Sequence, residues 1–212
     1  ERLEEMGAFF DARCESYDEV HTGHIDGPES KRIPAAYLPE SCETLLDLGI
    51  GTGLELEAVF ERFPEIEVTG VDLSGQMLGK LREKYPGRNL RLYQGSYFDF
   101  DMGSQRYDAA LTVMTLHHYT HEVKTALYRR IRESLRVGGV YVECDYMIAE
   151  DMAAEMGGRD LQDIEDGFFQ EYERLLKAQG LDSTQEYHYD TPCTVENQKK
   201  MLLAAGFRDV QE

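Results

Sequence analysis

The sequence predicts an α/β fold: a doubly wound, mainly parallel sheet with helices on both faces and a helical cap inserted at the rim. Three observations carry that expectation. Apolar, strand-like runs alternate with segments of helical periodicity between residues 44 and 146. A glycine-rich turn, Gly49-Ile50-Gly51-Thr52-Gly53, joins the first of these strands to the first helix. A carboxylate, Asp72, ends the second strand twenty-three residues after Gly49.

The elements follow in order. Residues 44–48 form a short apolar strand that runs into the glycine turn. Residues 54–63 carry Leu54, Leu56, Val59, Phe60 and Phe63 at helical spacing, and Pro64 stops them. Residues 67–71 are the second strand. Ser74 caps a helix running to about Tyr85, where Pro86-Gly87 ends it. Residues 90–93 and 107–113 are the third and fourth strands. Residues 121–137 read as a long amphipathic helix closed by Gly138-Gly139, and residues 140–146 as the fifth strand, with Tyr146 at its end. Beyond Tyr146 the rhythm breaks. Residues 147–190 are acidic, and Leu161, Ile164, Phe168, Phe169, Tyr172, Leu175 and Leu176 fit one or two extra helices. Thr194 caps a further helix to Ala205 with Gly206 as its C-terminal cap, and residues 207–210 begin a sixth strand. The first 43 residues are helical in pattern up to Tyr17. A polar loop with His21, Gly23, His24, Gly27 and Pro28 follows, and a loop of that length has a function or is disordered.

Composition narrows the partners. Lys plus Arg number 22 against 41 Asp plus Glu, a formal charge of −19, which repels phosphate backbones and argues against nucleic acid. Arg129, Arg130, Arg132 and Arg136 form either a solvated helix face or a local basic patch. No apolar run reaches the roughly 18–20 residues that cross a bilayer, so no membrane span is expected. The opening Glu1-Arg2-Leu3-Glu4-Glu5 has neither the basic start nor the apolar core of a signal peptide, and the lack of an initiator Met suggests a trimmed start. Cys14, Cys42, Cys144 and Cys193 are widely spaced without a CxxC pair, so the expectation is reduced thiols in a cytoplasmic protein and no metal cluster.

The glycine turn and Asp72 together suit an adenosine-containing ligand, with the ribose hydroxyls on the carboxylate and the following helix's first amides turned toward the same spot. A dinucleotide fingerprint reads G-x-G-x-x-G; here the third glycine comes one residue early. Asp47, just before the first glycine, repels a pyrophosphate and attracts the amino group of an amino-acid ligand. The pattern therefore favours S-adenosylmethionine over NAD.

Four segments in this order resemble the motifs of class I S-adenosylmethionine-dependent methyltransferases of the small-molecule type: residues 47–53, Val71-Asp72-Leu73-Ser74-Gly75-Gln76-Met77-Leu78, Tyr107-Asp108 leading to Leu116-His117-His118, and Leu135-Arg136-Val137-Gly138-Gly139. The resemblance covers residues 44–146 and implies a Rossmann-like fold, methyl transfer to a small-molecule acceptor, and S-adenosylhomocysteine as product. It also implies site roles. Gly49, Gly51 and Gly53 lie under the methionine part of the cofactor, Asp72 holds the ribose, and Leu73 and Met77 pack on the adenine. The turn holding Ser96 and Tyr97 meets the adenine edge, with Ser96 where the family often has Asp. The backbone near Thr112 and Val113 faces the amino group. The family's sheet normally ends with a sixth strand and an antiparallel seventh, whereas this chain stops inside the expected sixth, so either it is truncated or that edge is unusual. The expected organisation is a single domain, residues 1–212: a helical or lid segment (1–43), the cofactor-binding core (44–146), the cap (147–190), and a C-terminal helix with an incomplete strand (191–212).

Several residues admit two readings. His117 is either a general base for a hydroxyl or amine or a hydrogen-bonded structural histidine, and His118 beside it shares the side of the sheet where ligands bind. Tyr17 and His21 either close over the site as a lid or end a surface helix. Tyr146 points by topology toward substrate. Tyr187, His188 and Tyr189 either line the acceptor pocket or pack structurally. A nicotinamide-dependent oxidoreductase and a non-catalytic S-adenosylmethionine-binding protein are the competing functions.

Overall fold

The computed structural model describes residues 2–23 and 31–212, so His24, Gly27 and Pro28 of the expected N-terminal loop lie outside the described residues. The chain forms two compact units. A sheet unit comprises Gly7–Thr115 and Glu133–Cys144; a second unit comprises Leu116–Arg132, Asp145–Glu212 and the residues before Gly7.

The sheet unit is built on β1 (Thr44–Leu48), β2 (Glu67–Asp72), β3 (Leu90–Gln94), β4 (Tyr107–Val113) and β5 (Leu135–Cys144), in the spatial order β3-β2-β1-β4-β5. All neighbours pair parallel, with Asp47 of β1 opposite Gly70 of β2 and Leu111 of β4. From β1 the chain builds outward through β2 and β3, then returns to the other side of β1 for β4 and β5. That reversal makes the carboxyl ends of β1 and β4 the switch point where doubly wound sheets bind ligands. The expected fold class is borne out.

A continuous apolar core explains why the sheet forms. Leu45, Leu56, Val59, Val68, Leu81 and Leu111 are fully buried in it, from β1, α4 (Leu56–Arg62), β2, α5 (Gly75–Lys84) and β4. Burial of each such side chain contributes roughly 1.5–3 kcal/mol. Ser74 caps α5 as expected, its hydroxyl accepting the amide of Met77 at 3.0 Å. N-terminal to the sheet lie α1 (Met6–Arg13), a turn of 3-10 helix at Cys14–Ser16, α2 (Tyr17–Gly23) and α3 (Ile33–Ala36). Helix thus continues through residues 17–23, where the sequence suggested polar loop.

Two boundaries shift. The helix expected over 121–137 is α6 (His121–Ser134), and the last sheet strand begins at Leu135. Amides of Gln105 and Arg106 take the carbonyls of Glu133 and Ser134 at 3.0 and 2.7 Å, ending the helix from outside. Pairing then breaks between Tyr107↔Leu135 and Ala109↔Val140, so residues 136–139 form an irregularity in the strand, with Gly138 at φ 82°. Gly138-Gly139 therefore serve the strand rather than a helix cap. The strand stops at Cys144, which leaves Tyr146 beyond it instead of at its end.

The second unit holds α7 (Glu150–Glu155), α8 (Leu161–Gln179) and α9 (Val195–Ala204). Asp160 caps α8, Gly180 ends it in the left-handed conformation at φ 62°, and Thr194 caps α9 through the amide of Asn197. Ile148, Ala153 and Ile164 form a small core with Met152, Leu161 and Phe168. Short bridges complete the unit: Glu4-Glu5 lies antiparallel to Tyr187-His188, and Met147-Ile148 parallel to Cys193-Thr194. Residues 207–210 do not form the expected sixth strand. Asp209 sits at φ 55°, which interrupts an extended run.

Candidate active site

The glycine turn is shaped by its neighbours. Gly49 has φ 74°, and a Cβ there would lie 2.2 Å from Thr115 Oγ1. Backbone bonds fasten the turn to β2: Gly49 and Ile50 both donate to the Val71 carbonyl, at 2.8 and 3.3 Å. Asp72 completes the fastening. One oxygen accepts the amide of Gly51 at 2.8 Å and the other the amide of Ser74 at 2.8 Å. Each oxygen keeps a second lone pair, the capacity two ribose hydroxyls require. Burial raises the Asp72 carboxyl to about 6, against the lowering effect of the two amides.

Two further carboxyls lie behind the turn. Asp47 is 1% exposed and Glu55 5% exposed. As carboxylates, Asp47 Oδ2 and Glu55 Oε1 have no donor among the described residues. Burial pushes Asp47 well above the usual carboxylate range, and the facing Glu55 and then Asp72 push it further. Burial also raises Glu55, opposed by its own backbone amide and by Asp47, and then by Lys31 and Lys84. A proton shared between Asp47 and Glu55 relieves the pair in the absence of ligand, and a cationic group satisfies the same oxygens. Glu55 was missed from the sequence, although a charged residue between Leu54 and Leu56 is a signal of a special environment.

The remaining expected cofactor residues belong to the same unit as this turn. Met77 is buried, and Leu73 packs against Gly7 of α1, where a Cβ would meet Leu73 Cβ at 3.7 Å. The Ser96 hydroxyl accepts the amide of Phe98 at 3.2 Å, stabilising the turn after β3. Tyr97 is buried, and its hydroxyl donates to the Thr115 carbonyl at 3.4 Å. The Thr112 hydroxyl is turned to Tyr141 at 2.6 Å, so Thr112 offers the site only backbone, and Val113 is half-buried. Met114, which the sequence did not mark, has φ 53° at the end of β4, a strained conformation typical of ligand sites.

The N-terminal helices belong to the same unit. Asp11 of α1 is hydrogen-bonded to Ser74 Oγ, and Lys80 donates to the Cys14 and Glu15 carbonyls. Asp18 of α2 holds Thr52 of the glycine turn and Lys84 of α5, each at 2.5 Å. Tyr17 and His21 stack on one another in α2 with centroids 4.2 Å apart. The helix carrying them is therefore tied to the turn by Asp18.

A second cluster lies in the second unit. The buried Asp145 carboxylate accepts the amides of Leu116 at 2.7 Å and Tyr146 at 2.9 Å, and it bonds His117 Nδ1. Burial opposes charge on His117, but Asp145, with Asp190 behind it, outweighs burial and raises its proton affinity. His118 goes the other way: burial, then the neighbouring His117 and His188, hold it well below its ordinary value. Asp190 Oδ1 lies 3.5 Å from His117 Nε2, 3.3 Å from His118 Nδ1 and 4.0 Å from His188 Nε2. His118 Nδ1 also meets the Tyr189 carbonyl at 3.1 Å, and the Tyr146 ring stands 5.0 Å from that of His117. Tyr189 stacks on Tyr172. The amide of Thr191 donates to the His117 carbonyl at 2.5 Å, which fixes the 187–191 segment on the histidine pair. Asp145 and Asp190 were missed: Asp145 shows only as a carboxylate after an apolar run, and nothing in the sequence ties Asp190 to His117.

The structure thus gathers Tyr17, His21, Asp47, Gly49, Gly51, Gly53, Asp72, Leu73, Met77, Ser96, Tyr97, Thr112 and Val113 in the sheet unit, and His117, His118 and Tyr146 in the second.

Residues 45–139 match a protein family described as a methyltransferase domain. A carboxy-S-adenosyl-L-methionine synthase of Campylobacter fetus is 24% identical over 174 residues, which are 79% of this chain and 70% of that protein. A trans-aconitate 2-methyltransferase of Rhodopseudomonas palustris is 44% identical over 45 residues, 21% of this chain and 18% of that protein. The crystal structure of human N-acetylserotonin methyltransferase in complex with S-adenosylmethionine aligns with a TM-score of 0.62 and 18% identity, covering 93% of this chain and 50% of that one. This chain spans about half the length of that human enzyme. Among the described residues, no helix is long and apolar enough to cross a membrane. Residues 45–139 are thus similar to a methyltransferase domain, and the likeness to the solved structures is one of fold.

Proposed function

We propose that this enzyme methylates a small-molecule acceptor, with the cofactor held entirely by the loops of the sheet unit. The observation that carries the reading is the carboxyl trio at the glycine turn, buried Asp47 and Glu55 with half-buried Asp72; one oxygen each of Asp47 and Glu55 has no donor among the described residues. The ammonium and sulfonium of S-adenosylmethionine suit that negative pocket; a pyrophosphate does not. Bound there, the cofactor supplies an electrophilic methyl group and leaves as S-adenosylhomocysteine.

The chain's own residues do the rest. Gly49, Gly51 and Gly53 let the backbone approach the methionine moiety, and Asp72 accepts the ribose hydroxyls. Leu73 and Met77 cover the adenine, with Ser96 and Tyr97 at its edge, and the backbone of Thr112 and Val113 faces the amino group. Within the second unit, His117, oriented by Asp145, is the candidate proton acceptor, with His118 and Tyr146 beside it as candidate acceptor contacts; within the sheet unit, Tyr17 and His21 are the candidates for that role. Alignment of the nucleophile and exclusion of water are the main contributions to rate. The acidic surface disfavours nucleic-acid acceptors, and four free cysteines fit a cytoplasmic setting.

Thermal unfolding with S-adenosylmethionine, S-adenosylhomocysteine or NADH tests the cofactor assignment. At one hundred times its dissociation constant a ligand adds about 2.7 kcal/mol, or about 5 to 10 °C for a chain of this size. A shift with NADH alone would return the site to nicotinamide chemistry. Transfer of a labelled methyl group across a panel of small hydroxyl, amine and carboxylate acceptors then tests the reaction. Tight binding with no transfer to any of them would favour a non-catalytic binding protein.

A further inference from the structure

We propose that His117, His118 and Asp190, with His188 as a fourth neighbour, form a binding site for one divalent transition-metal ion of zinc's preferences. Each of the first three offers one donor atom, and these atoms all lie within 4.8 Å of one another. Asp190 Oδ1 lies 3.5 Å from His117 Nε2 and 3.3 Å from His118 Nδ1; His118 Nδ1 also faces the Tyr189 carbonyl at 3.1 Å, so ligation there moves the ring proton to Nε2 and replaces that hydrogen bond. A tetrahedral ion with bonds of about 2.0–2.1 Å sets its ligands about 3.3–3.4 Å apart. His188 Nε2, 4.0 Å from the same oxygen, stands where a modest side-chain movement makes it the fourth ligand.

The surroundings have the form of a metal site. His117 Nδ1 is bonded to Asp145, which is itself held by the amides of Leu116 and Tyr146. That leaves His117 Nε2 facing Asp190 with a lone pair. A carboxylate behind the distal nitrogen of a ligand histidine is the usual means by which proteins orient it for a metal. A neutral imidazole nitrogen and a carboxylate oxygen 3.5 Å apart repel unless a positive group lies between them, and an ion or a proton fills that role. The Thr191 amide on the His117 carbonyl brings Asp190 to the pair, so a metal-ligating set is assembled from positions more than seventy residues apart in sequence. The donor set of imidazole and carboxylate without thiolate suits zinc, and also cobalt as a spectroscopic substitute.

The site stands independently of the methyl-transfer reading. Its consequence for the reaction rests on that reading: ion and proton compete for His117 Nε2, so loading removes the histidine from proton transfer. The ion then lowers the proton affinity of an acceptor hydroxyl or amine in its place.

The test uses the full chain, stripped with a chelator and dialysed against zinc, with metal content read by elemental analysis and cobalt substitution read by visible absorption. The expected result is one ion per chain and the intense d–d bands of tetrahedral cobalt. Asp190 is half exposed, so Asp190→Ala leaves the fold intact; it is expected to weaken zinc by about tenfold or more at unchanged melting temperature in chelator. His188→Ala gives a second, smaller loss. Sub-stoichiometric zinc in the wild type, or wild-type affinity in Asp190→Ala, overturns the proposal. S-adenosylmethionine stabilisation of the same chelator-treated protein is measured alongside. If it persists while zinc fails to bind, only the metal site falls.

Discussion

Asp72 accepts the amide of Gly51 at 2.8 Å, so the residue that ends the second strand also sets the shape of the loop after the first. Removing the carboxylate therefore loses a ligand contact and loosens the turn together. Asp72→Ala is expected to weaken S-adenosylmethionine by about 2–3 kcal/mol, roughly 30- to 150-fold. Calorimetric titration measures it, and near-wild-type affinity would remove Asp72 from the site.

Proton linkage at this site has a definite sign. Asp47, Glu55 and Asp72 are all raised, Asp72 to about 6. Between the ordinary carboxylate range and these raised values the folded protein holds protons that the unfolded chain has released. Their contribution to stability is thus complete at low pH and is lost as pH rises through the folded values. Glu55→Gln removes one member of the set, so its melting temperature relative to wild type is expected to climb from pH 5 to pH 7.5. A cationic ligand reverses the trend, and S-adenosylmethionine affinity is expected to rise over the same window. Flat profiles in both measurements would sink this account.

His117 has the same sign for a different reason, a charge partner rather than burial. Its proton affinity is raised against burial by Asp145, so the stabilisation is full below the ordinary histidine value and fades as pH rises through the folded one. Asp145→Asn is expected to cost about 1–3 kcal/mol in stability at pH 6, and less at pH 8.5. Denaturant unfolding at the two pH values checks this. An equal loss at both would show that Asp145 acts only through its bonds to the Leu116 and Tyr146 amides.

Two glycine substitutions are expected to differ in sign. Gly49→Ala forces a side chain into a left-handed position 2.2 Å from Thr115 Oγ1, and should cost at least about 1–3 kcal/mol and impair cofactor binding. Gly79 lies inside α5 with nothing within 4 Å of an added Cβ, so Gly79→Ala is expected to stabilise by about 0.5–1 kcal/mol. Thermal denaturation separates the two, and a stable, binding-competent Gly49→Ala would contradict the packing of the turn.

The part of the fold legible in the sequence was the part written by local rules. Apolar runs bounded by glycine and proline located all five strands of the parallel sheet, and the glycine turn falls at the sheet's switch point. Local periodicity misled where tertiary contacts decide. Leu135 and Val137 continue a helical pattern, yet amides from Gln105 and Arg106 end the helix at Ser134. Phe207 and Val210 look like strand, and Asp209 breaks the run. Glu55, Asp145 and Asp190 acquire their roles from partners that only folding brings near: Asp145 is twenty-eight positions from His117 and Asp190 seventy-three.

The division into units has a consequence for how the molecule can be taken apart. The sheet unit is drawn from two separate stretches of chain and the second unit from three, with Leu116–Arg132 falling in sequence between the two stretches of the sheet unit. No single cut releases either one whole. A protease nick within residues 145–160 would leave the second unit's pieces on two different fragments, held by packing alone. Expressing either unit by itself requires excising internal segments and rejoining the cut ends, not merely trimming a terminus.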